Sequence, residues 1–139
     1  GISKHDLQDY RGAIADYNKA IELEPNGANA YYNRGNSKYA HLDYIGAIAD
    51  FTKAIELDPN DMEAHFNRGR SMHNLQDYRG AIADYSKVIE LNPNDANAYY
   101  NRGISKFNLG QKDSCCLDFS KASELGHEKA YNANRQFCN

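Results

Sequence analysis

The chain lacks the features that mark several protein classes. No apolar stretch approaches the length of about 20 residues that a membrane-spanning helix needs. Sixteen Lys and Arg face nineteen Asp and Glu, for a net charge of −3, so there is no basic excess to grip nucleic acid by neutralising phosphates. No Gly-rich phosphate loop is present. Cysteine is scarce and odd in number: Cys115, Cys116 and Cys138, at spacings that fit no zinc pattern. On a helix, Cys115 and Cys116 point about 100° apart, so they do not face one site together. Three readings stay open for the cysteines: small buried apolar residues, a Cys116–Cys138 disulfide tying the last helix down, or a reactive or metal-binding thiol. The disulfide would imply a periplasmic or secreted setting and reduced thiols a cytoplasmic one, so the compartment stays unknown.

Proline is also scarce, and its places are informative. The three prolines are Pro25, Pro59 and Pro93, spaced 34 residues apart. Gly35, Gly69 and Gly103 keep the same step. Ala28–Asp61 returns as Met62–Asp95 and, more altered, from Ala96. A fixed period of this length marks a repeat array, whose core is a seam between stacked units. The boundaries read as a truncated repeat 1–27, repeats 28–61 and 62–95, a degenerate last repeat 96–127 and a capping helix 128–139, all in one domain, 1–139. Gly1-Ile2-Ser3-Lys4 matches Gly103-Ile104-Ser105-Lys106, so the chain is expected to start inside a repeat, as a fragment or a cleaved chain. The lack of a visible signal peptide therefore carries little weight.

Each repeat reads as two helices. With Ala28, Met62 and Ala96 as position 1, helix A covers positions 1 to 14, because Ala30, Tyr31, Arg34, Gly35 and Lys38 recur at helical spacing. Asn60 or Asp61 caps the helix that follows. After a short turn, Asp9, Asp43 and Asp77 stand where an N-cap for helix B belongs. Helix B runs from about position 17 to 30 with a wide apolar stripe, Tyr44, Ala47, Ile48, Phe51, Ala54, Ile55 and Leu57 in the second repeat. Proline ends it, having no amide to donate. After Gly110 the fourth repeat decays, and Glu128–Cys138 reads as an amphipathic end cap near Asn139. At the other end a shortened helix A is expected to leave the first helix B poorly covered. Low local stability, dimerisation or a domain swap there would follow.

These residues resemble the tetratricopeptide repeat family. The second repeat supplies Tyr31, Gly35, Ala47, Phe51, Ala54 and Pro59, and the third supplies His65, Gly69, Ala81, Tyr85, Val88 and Pro93. The fourth supplies Tyr99, Gly103, Cys115, Phe119 and Ala122, and the first Gly1, Ala13, Tyr17, Ala20 and Pro25. Arg34, Arg68 and Arg102 depart from the family's leucine, and Lys4, Lys38 and Lys106 from its tyrosine. Long stems can pack while their heads reach water or an acid such as Asp50 or Asp84. The resemblance implies an all-α, right-handed superhelical solenoid of antiparallel helix pairs, with helices A on the concave face and a C-terminal capping helix. It also implies a non-catalytic scaffold that binds a peptide or helix of a partner protein, with no cofactor.

The same resemblance places the partner-binding groove. The second repeat contributes Asn29, Tyr32, Asn33, Asn36, Tyr39 and Ala40. The third contributes Glu63, Phe66, Asn67, Arg70, His73 and Asn74. The fourth contributes Asn97, Tyr100, Asn101, Ile104, Phe107 and Asn108, and the remnant of the first Ile2, His5 and Asp6. Asn33, Asn67 and Asn101 form a row whose carboxamides can pair with a backbone C=O and N–H together. This row resembles the asparagine ladder in the superhelix of the O-GlcNAc-transferring enzymes. The alternative is that these asparagines bond between adjacent A helices. The aromatics Tyr32, Phe66 and Tyr100, with Tyr39 and Phe107 beside them, are interface anchors or packing residues. The lysines and arginine with which similar domains clamp acidic chaperone tails are absent: Tyr32, Asn97 and Asn101 hold their places, with only Asn36 and Asn67 agreeing. Strong chaperone-tail binding is not expected.

Two rival classes draw less support. For an enzyme, Glu22, Glu56 and Glu90 repeat with helix B as a solvated face, and the five histidines are scattered without a partner nucleophile or acid to complete a set. His65 stands in the place of Tyr31 and Tyr99 and reads as packing. For single-stranded RNA, aromatics and asparagines would permit stacking, but only Arg70 adds clear positive charge to the groove. A scaffold that works by self-association through its end faces is the other alternative.

Overall fold

The shared turn chemistry of the repeats builds eight helices among the described residues, with no strand. They are α1 (Lys4–Leu23), α2 (Ala28–Ala40), α3 (Tyr44–Leu57), α4 (Met62–Asn74), α5 (Tyr78–Leu91), α6 (Ala96–Asn108), α7 (Lys112–Glu124) and α8 (Glu128–Phe137). The structure, a computed structural model, describes residues 4–138, the side chain of His5 excepted. The expectations for Gly1, Ile2, Asn139 and the His5 side chain lie outside the described residues. The chain divides into two compact units, Gly1–Ser71 and Met72–Asn139.

The turns are built alike. Leu42 and Gln76 take left-handed backbone, φ 66° and 64°, and Gly110 and Gly126 do so at 79° and 95°. At each, the next residue's amide donates back to the helix: Asp43 to the Lys38 carbonyl and Asp77 to that of Met72, both at 2.8 Å, Gln111 to that of Lys106 at 2.9 Å and His127 to that of Ala122 at 3.0 Å. This is the Schellman ending, which satisfies the last carbonyls of a helix. Asp43 and Asp77 then cap the next helix, accepting from the Gly46 and Gly80 amides at 2.9 and 3.0 Å. At the interrepeat turn the cap is Asp61, not Asn60: its Oδ1 accepts from the Ala64 amide at 3.1 Å, as Asp95 does from Ala98.

The first repeat departs from the expected turn. Asp9 does not stand at a helix start there, because α1 is a single 20-residue helix running straight through that position. The A–B turn requires a residue in the left-handed region, which costs a non-glycine residue about 1–2 kcal/mol. In the later repeats the packing of helix A on helix B offsets that cost.

The core of the first unit is Ala47, Phe51, Ala54 and Ala64, all fully buried. Its α2 and α3 approach so closely that a Cβ on Gly35 would lie 2.8 Å from the Phe51 ring. The second unit buries Ala81, Tyr85, Val88, Ala98, Cys115, Phe119, Ala122 and Ala130. There Gly103 meets Phe119 in the same way, at 2.7 Å. By contrast Ala20 of α1 is exposed and Ala13 half-buried, where the matching Ala54 and Ala47 are covered completely.

The arginines that depart from the family pattern tie the helices together. Arg34 grips the buried Asp50 with two bonds of 2.8 and 2.7 Å and reaches Asn18 on α1 at 2.7 Å. Lys38 adds a 3.1 Å contact to Asp50. In the second unit Arg102 grips Asp118 at 2.8 and 2.7 Å and reaches Ser86 on α5 at 3.1 Å, with Lys106 2.9 Å from the same carboxylate. Arg68 likewise donates to Thr52 on α3 at 3.3 Å. Arg34 and Arg102 therefore each bind their own repeat's helix B and the preceding one. His65 packs as expected: it is buried, with Nε2 2.9 Å from the Pro59 carbonyl oxygen. Cys115 is buried and free, whereas Cys116 and Cys138 form a disulfide joining α7 to the end of α8.

Candidate functional site

In the first unit the helical period brings Asn29, Tyr32, Asn33, Asn36 and Tyr39 of α2 and Glu63, Phe66, Asn67 and Arg70 of α4 to the A-helix faces. Four of them form one chain of hydrogen bonds. The Tyr32 hydroxyl donates to Glu63 Oε2 at 3.1 Å. Asn67 Nδ2 donates both to Tyr32 Oη and to Asn36 Oδ1, each at 3.1 Å. Burial of the phenol raises its pKa, and the Glu63 carboxylate adds to this, so Tyr32 stays protonated and keeps donating. The Tyr32 ring rests on Phe51 with centroids 5.9 Å apart. Arg70 lies over the Tyr39 ring at 4.8 Å, a cation–π contact. Phe66 is half-buried.

The three asparagines of the row thus differ. Both donor hydrogens of Asn67 are used within the protein, which leaves its Oδ1 as an acceptor. Asn67 therefore follows the alternative reading, bonding between adjacent A helices. Asn33 is exposed and Asn101 half-buried, and neither makes a side-chain hydrogen bond among the described residues.

In the second unit the site residues are more occupied. His73, at the end of α4, is no free groove residue: its Nδ1 lies 3.0 Å from the Oγ of fully buried Ser105, and its ring meets Tyr78 edge-on at 5.1 Å. Burial lowers its pKa. Tyr100 packs on Phe119 at 5.9 Å from one side and stacks on His127 at 4.4 Å from the other. His127 Nε2 donates to Asn97 Oδ1 at 3.0 Å. Ile104 is half-buried; Phe107 is exposed yet touches Phe137 of α8 at 4.8 Å. Asn108 donates to the Ile104 carbonyl of its own helix. Sequence reasoning overlooked Ser105 and His127. His127 sits where Pro59 and Pro93 stand in the other repeats and caps α8 by accepting from the Ala130 amide at 3.1 Å. Caps are normally Ser, Thr, Asp or Asn, so a histidine gave no signal.

Among the described residues no group of three or more His, Cys, Asp or Glu side chains is placed to hold a metal, and no helix is long and apolar enough to cross a membrane. Glu56 and Glu90 lie exposed beside Lys53 and Lys87, at 3.7 and 3.6 Å, as a solvated face.

Comparison with known proteins fits this arrangement. No curated protein matches the chain. Among solved structures, MamA superposes with a TM-score of 0.88 at 25% identity, covering 94% of this chain and 78% of that one. MamA 41-end from Desulfovibrio magneticus RS-1 does so at 0.86 and 25%, covering 96% and 77%. The first TPR of Spaghetti (RPAP3), bound to HSP90 peptide SRMEEVD, gives 0.76 at 26%, covering 80% and 90%. A model described as TPR repeat matches residues 1–41 and 73–110, and two described as Tetratricopeptide repeat match 28–61 and 51–83. The repeat period, the paired helices and these matches agree, and the chain belongs to the tetratricopeptide repeat family.

Proposed function

We propose that this chain is a non-catalytic scaffold that binds an extended peptide or helix of a partner protein on its A-helix faces. The family and fold are those of interaction modules, and one structural neighbour is bound to a peptide. The observation that carries the reading is the state of the asparagine row. Asn33 and Asn101 hold carboxamides with no side-chain hydrogen bond among the described residues, and Asn67 offers an oriented acceptor. Such groups suit a ligand backbone, whose N–H and C=O need partners whatever its side chains are. Tyr32 and Tyr100 supply aromatic surface beside them. The face does not favour an acidic chaperone tail. Tyr32, Asn97 and Asn101 stand where clamping cations would be needed, and Arg70 is engaged by Tyr39.

The test is capture of partners from source lysate by the chain and by its Asn33→Ala, Asn101→Ala double variant. Loss of a retained protein from the variant, with unchanged thermal stability, supports binding at the face. Equal retention by both contradicts it. A second reading, assembly by self-association, is favoured by the exposure of Ala20 and the half-burial of Ala13 on α1. Sedimentation showing a compact monomer at every concentration would remove it.

A further inference from the structure

The capping helix is held by a group that can hold it only while neutral. His127 makes three contacts in the second unit. Its Nδ1 accepts from the Ala130 amide at 3.1 Å, capping α8. Its Nε2 donates to Asn97 Oδ1 at 3.0 Å. Its ring stacks on Tyr100 at 4.4 Å between centroids, with planes 26° apart. The two bonds together require one state of the imidazole, with a hydrogen on Nε2 and a lone pair on Nδ1. A proton on Nδ1 would point a second N–H at the N–H groups of α8 and put positive charge at the positive end of the helix.

We propose that His127 is an acid-released latch that caps α8 and holds its first turn in place at neutral pH. Nδ1 faces the amide end of α8, where a charged imidazole finds a donor in place of an acceptor. From α6 it meets the carboxamide of Asn97 and the phenol of Tyr100; from α7 the Ala122 carbonyl takes the His127 amide; and on α8 the charged group acting on the ring is Lys129. Burial and Lys129 both lower the imidazole pKa from its ordinary 6.5. Protonation of Nδ1 then removes the cap, while the Nε2–H keeps donating to Asn97 Oδ1. The far end of α8 stays tied by Cys116–Cys138, so the helix loosens at its first turn and is not lost. That this release regulates partner binding rests on the function proposed above; the latch itself does not.

The latch is tested on the oxidised, ligand-free chain, so its failure is distinct from failure of the binding reading. In nitrogen-15 spectra of the imidazole at neutral pH, His127 should show Nδ1 unprotonated and Nε2 protonated. The opposite tautomer would overturn the proposal. Amide exchange, corrected for intrinsic rates, should show protection across α8 falling about tenfold between about pH 7.5 and about pH 5. In His127→Asn, which caps without titrating, that protection should not change with pH. PH-independent protection of α8 in the native chain, or an equal fall in the variant, would contradict the latch. Should the variant fail to order α8, the tautomer and the native exchange profile still decide.

Discussion

At the residue scale, two kinds of position carry unusual demands. Leu42 and Gln76 sit in left-handed backbone, where the fourth repeat has Gly110. Leu42→Gly should therefore stabilise the chain by about 1 kcal/mol, and Gly110→Leu should destabilise it by about as much, read by urea unfolding. Gly103 is the opposite case: alanine there gains about 1 kcal/mol in helix propensity but drives its methyl into Phe119. We expect Gly103→Ala to lose about 1–3 kcal/mol net, because the ring is confined in a packed core. Arg102→Met leaves buried Asp118 with Lys106 as its remaining cation and should cost about 3 kcal/mol. An unchanged urea midpoint would show that the pair adds nothing to the native state. Asn67→Ala, attractive from the sequence as a pure binding lesion, is expected to lower stability by about 1 kcal/mol, because it removes the bonds to Tyr32 and Asn36.

At the element scale, the helices from α2 to α7 were legible because each is written twice or more at one period, with a turn residue and a proline or glycine between copies. What escaped depends on partners distant in sequence. The straight run of α1 through Asp9 is not registered by a local cap motif, since Asp9 stands where Asp43 and Asp77 cap. The donors of Asn67 are taken by side chains 31 and 35 residues away. Spacing placed all three asparagines on one face, but only packing tells which are free. Helix α8 shows a further dependence. Its disulfide closes a loop of 22 residues, so reduction should destabilise the oxidised chain by about 3 kcal/mol and raise exchange first in α8. Equal exchange in the two redox states would show that packing alone holds the helix.

At the scale of the whole molecule, the two lowered histidines set a pH dependence. The folded state disfavours charge on His73 and His127, so the unfolded chain takes up protons more readily. Their contribution is fully present above the ordinary pKa of 6.5 and is lost as pH falls below it towards the lowered folded values. Melting temperature should decline as pH is lowered through this window, and the decline should be smaller in a chain carrying His73→Asn and His127→Asn. The more direct question is whether the A-helix faces bind a partner through the asparagines left free. It is answered by lysate capture with the native chain and the Asn33→Ala, Asn101→Ala variant, read by mass spectrometry beside their melting curves. The account predicts a protein held by the first, lost by the second, at equal stability. The same proteins on both would contradict it.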